Sequence, residues 1–239
     1  MDGELYPMPL VLMYHSVAPY DDDPYRVTVH PDRFARQLRW LHRRGLRGVS
    51  MRELLQARRQ GRGAGLVGLT FDDGYADFRT EVQPALDAYG FGATLYVVAG
   101  LLGGHNGWDE PGPRKPLMTA VDVREVADAG VEIGAHSLTH PYLSTLDDED
   151  LALQTGRSRE ILRQLTGQEV GGFCYPYGDA GPREVAAVRA AGFDHACAVR
   201  PSAITGRYAI PRTYVGDRDC APRLYAKAAR HRLTVGRAG

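Results

Sequence analysis

Apolar runs and segments of helical period alternate from one end of the chain to the other. Strand-like runs read "LVLMYHS" (10–16), "GLVGLTFDDG" (65–74), "ATLYVVAG" (93–100), "VEIGAHS" (131–137) and "GGFCYP" (171–176). The shorter "HACAV" (195–199) and "RYAIP" (207–211) complete about seven strands. Between them lie helix patterns. Residues 31–45 place Phe34, Leu38 and Leu41 on one face behind a helix-starting Pro31. Ser50 and Glu53 stand at capping-box spacing, Gly90 is a stop after 76–89, and Thr119 is an N-cap for the next helix. Residues 147–167 and 182–192 read as two further helices, the second with proline at its start and glycine at its end. The tail from Ala221 is weakly helical, and residues 101–118, rich in Gly and Pro, form a long loop of the kind that carries function.

This β-α alternation predicts a parallel sheet covered by helices. No glycine-rich dinucleotide fingerprint follows the first strand and no P-loop occurs, so a closed or nearly closed barrel fits better than a doubly wound sheet. No linker or shift of composition divides the chain, and residues 1–239 are expected to form a single domain. The sequences "MYHS", "TFDDG", "GAHS" and "CYPYG" each stand at the C-terminal end of a candidate strand, where barrel active sites gather.

Charge removes several function classes. Lys plus Arg and Asp plus Glu both number 29, so no global basic field for nucleic acid exists. The local clusters "LHRRGLRG" and "ARRQGRG" read as solvated helix ends. The stretch "MDGELYPMPLVLMYHSV" opens acidic, and its apolar run is short and broken by Pro7 and Pro9 with a histidine inside it, unlike a signal peptide or a membrane span. Cys174, Cys197 and Cys220 are odd in number and far apart, which argues against a disulfide framework. A cytoplasmic location is the expectation.

His136 and His140 stand four apart and would share one face of a helical turn, a beginning for Zn²⁺ or a similar ion. An oxygen ligand is then wanted, and Asp72 and Asp73 are the candidates. A regular strand aims neighbouring side chains to opposite faces, but Gly74 implies an irregular turn that frees both carboxylates for one cavity. Two carboxylates in one site repel unless a cation lies between them. "FCYPYGDAG" (173–181) would make a rigid aromatic wall with an exposed backbone N–H, suited to sugar stacking and an oxyanion hole.

Taken together, "TFDDG", "HSLTH" and "YPYG" resemble, in order and rough spacing, the motifs of the polysaccharide deacetylase family, the NodB-homology carbohydrate esterases. The resemblance covers nearly the whole chain. It implies an α/β fold, a distorted (β/α)7 TIM-like barrel. It also implies a hydrolase that removes N-acetyl, less commonly O-acetyl, groups from a sugar or glycoconjugate. Asp73, His136 and His140 would hold one divalent metal ion, Zn²⁺ first and Co²⁺ or Ni²⁺ otherwise. Asp72 would be the general base, and the Tyr177 N–H would help bind the oxyanion. Trp108, Tyr175 and Tyr177 are candidate sugar platforms, with Trp108 on a loop that could act as a lid.

Two departures stand out. Cys174 occupies the place of the arginine that usually braces the catalytic aspartate, and Arg212 is the candidate replacement. The usual late histidine is missing, but some deacetylases with permuted motifs begin with a strand like "LMYHSV", which makes His15 the candidate general acid. Without a signal peptide, the expected substrate is a cytoplasmic glycoside, a nucleotide- or lipid-linked sugar, or an assembly intermediate. A non-sugar amidase and a carbohydrate-binding pseudoenzyme are the alternative functions.

Overall fold

The computed structural model describes residues 8–234; the first seven residues of the N-terminal stretch lie outside them. In chain order the elements are β1 (Val11–Tyr14), β2 (Ser16–Val17), β3 (Thr28–Val29), α1 (Pro31–Arg43), β4 (Arg47–Val49), α2 (Met51–Arg59) and β5 (Leu66–Phe71). There follow α3 (Gln83–Asp87), β6 (Thr94–Val97), α4 (Ala120–Asp128), β7 (Glu132–Ala135), α5 (Asp148–Thr166) and β8 (Gly172–Cys174). The described chain finishes with α6 (Pro182–Ala190), β9 (His195–Cys197), β10 (Thr213–Tyr214) and α7 (Ala221–Thr234).

The main sheet runs β10-β1-β5-β6-β7-β8-β9, all parallel. Its two ends meet through residues 210–214. Ile210 bridges Cys197 on one side, and Thr213 and Tyr214 pair with Leu12 and Met13 on the other. The curled sheet thus closes on itself, as the barrel reading expects. "RYAIP" touches the sheet only at isolated bridges because Pro211 has no N–H to give to a ladder, and the strand proper begins at Thr213. β4 goes beyond the sequence reading. It is three residues long, lies between two helices and pairs with the first half of β5, while β6 pairs with the second half.

Most helix ends lie where their side chains predict. Thr119 and Asp122 make both halves of a capping box, and Gly167 ends α5 at φ 67°. At Ser50 only half of the box forms: Ser50 accepts from the Glu53 N–H, but the Glu53 carboxylate turns to Arg47. The helix expected over 76–89 is split. A π-turn, Phe78–Val82, precedes α3, and Pro84 explains it, since a proline ring inside a helix removes a donor and crowds the preceding turn.

Alternation along the strands sorts the core from the site. Leu12, Tyr14, Leu69 and Phe71 pack outward beneath the helices, where Tyr14 stacks on Phe71 at 5.2 Å and Phe34 of α1 meets both edge-on. Val11, Gly68, Gly134, Gly172 and Cys174 face the interior. A Cβ on Gly134 would stand 2.5 Å from the Tyr96 ring, so only glycine admits that ring there. The same inward phase carries His15, Asp72 and His136 to the C-terminal mouth of the barrel.

Candidate active site

Asp72 sits just past β5 in phase with Gly68 and Thr70, and is buried. Arg212 reaches it from just before β10. Its Nη1 donates to Oδ1 and its Nη2 to Oδ2, each at 2.7 Å. The same guanidinium donates to the Thr70 hydroxyl (3.0 Å), the Ala198 carbonyl (3.2 Å) and the Cys174 sulfur (3.0 Å). Burial alone would raise the Asp72 pKa, but the Arg212 charge and its hydrogen bonds outweigh that and hold it below the ordinary carboxylate value. Burial raises the Cys174 thiol, which stays protonated beside them.

Asp73 follows with φ 73° and Gly74 with φ 76°. Two consecutive left-handed residues break the strand alternation, and both carboxylates enter one cavity as the glycine implies. The Asp73 Oδ1 lies 3.3 Å from His136 Nε2 and 3.5 Å from His140 Nε2. The histidines do not sit on a helical turn. β7 ends at Ala135, and the rings are brought together by a loop with positive φ at Ser137 and His140. The Ser137 hydroxyl accepts the His140 N–H at 2.9 Å. Gln154 on α5 accepts the N–H groups of Leu138 and Thr139 and donates to the Thr139 hydroxyl. No sequence signal marks Gln154, because it meets this loop only through the tertiary fold.

The donor set suits a divalent cation. The Cys174 carbonyl can only accept, so His136 Nδ1, 2.8 Å away, carries a proton and Nε2 is the atom that faces Asp73. Burial would lower the His136 pKa, but Cys174 and the Asp73 carboxylate raise it well above the ordinary value, so a metal bound there would take the place of the Nε2 proton. Burial pushes His140 down to about 3, so it is a neutral imidazole at neutral pH. Asp73 Oδ1 is buried without a hydrogen-bond partner. Two imidazole Nε2 atoms and an orphaned carboxylate oxygen converge on one point, with ligand atoms within 4.8 Å of one another. An Asp-His-His set of this kind fits Zn²⁺ and its first-row neighbours.

His15 comes to the same place, with Nε2 3.9 Å from Asp72 Oδ2 and the side chain partly exposed. Trp108 stacks over His140 at 4.3 Å, held by a loop pinned through Tyr75 to Asp109 and Lys115 to Thr28. Tyr177, at φ 58°, packs edge-on to His140 and stacks on Tyr142 at 3.9 Å. Both tyrosines are exposed, and Tyr142, two residues after His140, lies outside the motifs that mark the site in the sequence. Tyr175 is a correction: its ring is buried against Phe173 and its hydroxyl donates to the Tyr208 carbonyl, so it offers no face to a sugar.

The profile of the polysaccharide deacetylase family matches residues 59–196, more than half of the chain. The chain belongs to this family. Among its relatives, YxkH of Bacillus subtilis, assigned to the polysaccharide deacetylases, is 25% identical over 86% of this chain and 70% of its own length. The poly-β-1,6-N-acetyl-D-glucosamine N-deacetylase of Escherichia coli is 29% identical over 56% of this chain, and the match spans 21% of that protein. The solved deacetylase PplD of Streptococcus pyogenes superimposes with a TM-score of 0.77 at 21% identity, covering 92% of this chain and 97% of its own, a likeness of fold. The expected family, barrel and deacetylase class are therefore borne out. His15 and Arg212 lie outside the span matched by the family profile, yet both meet Asp72.

Proposed function

We propose that this protein hydrolyses the N-acetyl group of an N-acetylated sugar or glycoconjugate, releasing acetate and a free amine. Convergence of Asp73, His136 and His140 on one point beside the Arg212-held Asp72 carries the reading. Its family membership supports it, as does the stated N-acetylglucosamine substrate of the Escherichia coli relative.

A divalent ion held by Asp73, His136 and His140 would supply Lewis acidity, polarising the acetyl carbonyl and lowering the pKa of a water. Zn²⁺ is the first candidate, with Co²⁺ or Ni²⁺ compatible with the same donors. Asp72, kept ionised by Arg212, takes the proton from the attacking water. The Tyr177 N–H helps hold the oxyanion that develops on the acetyl carbonyl. His15 donates a proton to the amine as it leaves. Trp108 and the Tyr142–Tyr177 pair wall the approach and offer ring faces to the sugar. A reducing, cytoplasmic setting is part of the proposal, since Cys174 serves as a thiol between Arg212 and Asp72.

Acetate release measured on N-acetylglucosamine oligomers and a nucleotide sugar, with metal quantified on the same preparation, tests this reading. His136→Ala and His140→Ala should lose metal and activity together. Full metal occupancy in both variants would defeat the ligand assignment.

A further inference from the structure

The chain is neutral overall, yet its charge is unevenly spread. α1 and α7 pack side by side. Arg36, Arg39, Arg43 and Arg44 are exposed along and just beyond α1, and Arg230 and Arg232 are exposed on α7. None of the six forms an ion pair among the described residues, whereas Arg47, Arg79, Arg157 and Arg163 on other surfaces all do. These guanidinium groups are therefore not spent on internal pairing.

Two neighbouring clefts mark this face. A cleft of 720 Å³ is lined by Arg36, Arg39, Trp40, Arg43, Arg44 and Ala221. A second, of 380 Å³, shares Trp40 and Arg44 with it and continues to Tyr225, Arg232 and Leu233. No carboxylate lines either. Arg44 lies 5.0 Å over both the Trp40 and Tyr225 rings, so its charge is presented on an aromatic floor. Tyr225 and Leu233 are 58% and 61% exposed, large apolar groups left in water between arginines.

We propose that this α1–α7 face docks the protein onto an anionic lipid bilayer. Arginines without acidic partners supply attraction to negative headgroups, and the aromatic and leucine side chains supply the apolar contact of a helix lying in the interface. A nucleic acid would use the charge and could stack on Tyr225, but would gain little from the aliphatic Leu233. A bilayer uses all three. No helix among the described residues is long and apolar enough to cross a membrane, and the docking proposed is to the bilayer surface. The docking does not depend on the deacetylase reading, and its test does not read activity as its signal.

The full chain is sedimented with phosphatidylglycerol-rich vesicles and with pure phosphatidylcholine vesicles at low and high salt. It should pellet with the former, and less as salt rises. Arg39→Glu with Arg43→Glu should lower partition by about tenfold or more, given the electrostatic worth of each basic residue near such a surface. Tyr225→Ser with Leu233→Ser leaves the charge intact and should also lower it. Thermal melts of both variants serve as the folding control, since every substituted residue is exposed. Failure to pellet with anionic vesicles at low salt overturns the proposal. So does charge-reversed protein that melts normally and still pellets. Binding that duplex DNA competes away, and that the Tyr225/Leu233 variant retains in full, would replace the bilayer with a nucleic acid.

Discussion

Arg212 grips both oxygens of Asp72 at 2.7 Å, in a fork that closes entirely inside the barrel. The two residues come from distant parts of the chain and are both buried, so each is the other's main charge partner. Planar, bidentate pairing of this kind favours the ionised carboxylate and fixes its orientation. Arg212→Met should therefore raise the pKa on the acidic limb of the rate profile. Asp72 has a depressed folded pKa, so its pairing contributes stability above about pH 4, its ordinary value, and loses it as pH falls through the lower folded value. The variant's deficit in melting temperature should accordingly be largest near neutrality and shrink in acid. Arg212→Lys keeps the charge but not the fork, and should shift the limb less. An acidic limb that stays in place with unimpaired rate would remove the brace.

Asp72→Asn tests the division of labour between neighbouring aspartates. Asp73, not Asp72, faces both Nε2 atoms, whereas Asp72 is engaged by Arg212. The variant should retain most of the metal and lose most of the turnover. It should also be less stable by about 3 kcal/mol, because the Arg212 charge is left buried without its partner. Metal analysis and thermal melts on one preparation read both effects. Metal lost in parallel with activity would mean that the two roles are reversed.

Gln154 ties the 136–140 loop to α5 through three hydrogen bonds. Gln154→Ala removes none of the ligands but frees the loop that sets the His140 ring against Asp73. Outer partners of metal ligands typically govern affinity by about 10–100-fold, and a loss in that range is expected when metal is titrated back into stripped protein. Gln154→Glu keeps the acceptor for the Leu138 and Thr139 N–H groups and should recover much of the affinity. Equal affinity in Gln154→Ala and the parent would show that the loop holds itself.

The strand ends were legible because their chemistry breaks an apolar run, and inward phase then carries His15, Asp72 and His136 to one mouth. The histidine pair was legible as a pair but not as a geometry. Four-residue spacing suggested a helical turn, whereas left-handed Ser137 and His140 make a loop held by the Ser137 hydroxyl, by the backbone of Ala99 and Gly100, and by Gln154 of α5. Arg212 could be inferred only as a charge that had to come from somewhere, since nothing local in "AIPRTYV" points it at Asp72. Tyr175 misled for the opposite reason. An aromatic at a strand end looks the same in sequence whether its ring faces a substrate or, as here, the core beside Phe173. β4 was hidden by its brevity, its three residues carrying too little alternation to be seen.

His15 lies 3.9 Å from Asp72 on the inward phase of β1, and its Nδ1 is buried without a partner. It is also outside the proposed ligand set, so a role in proton transfer can be separated from a role in holding metal. General acid catalysis is typically worth roughly 10²–10⁴ in rate, and the benefit depends on what leaves. An amine nitrogen must be protonated to depart, while an activated aryl ester expels a stable phenolate unaided. His15→Ala should cut amide hydrolysis by a factor in that range, spare aryl acetate hydrolysis, and leave metal content near that of the parent. Both substrates are to be run on one metal-quantified preparation. Equal losses on amide and ester would assign His15 to positioning Asp72 through their contact. An undiminished amide rate would make it an ordinary histidine at the end of a strand.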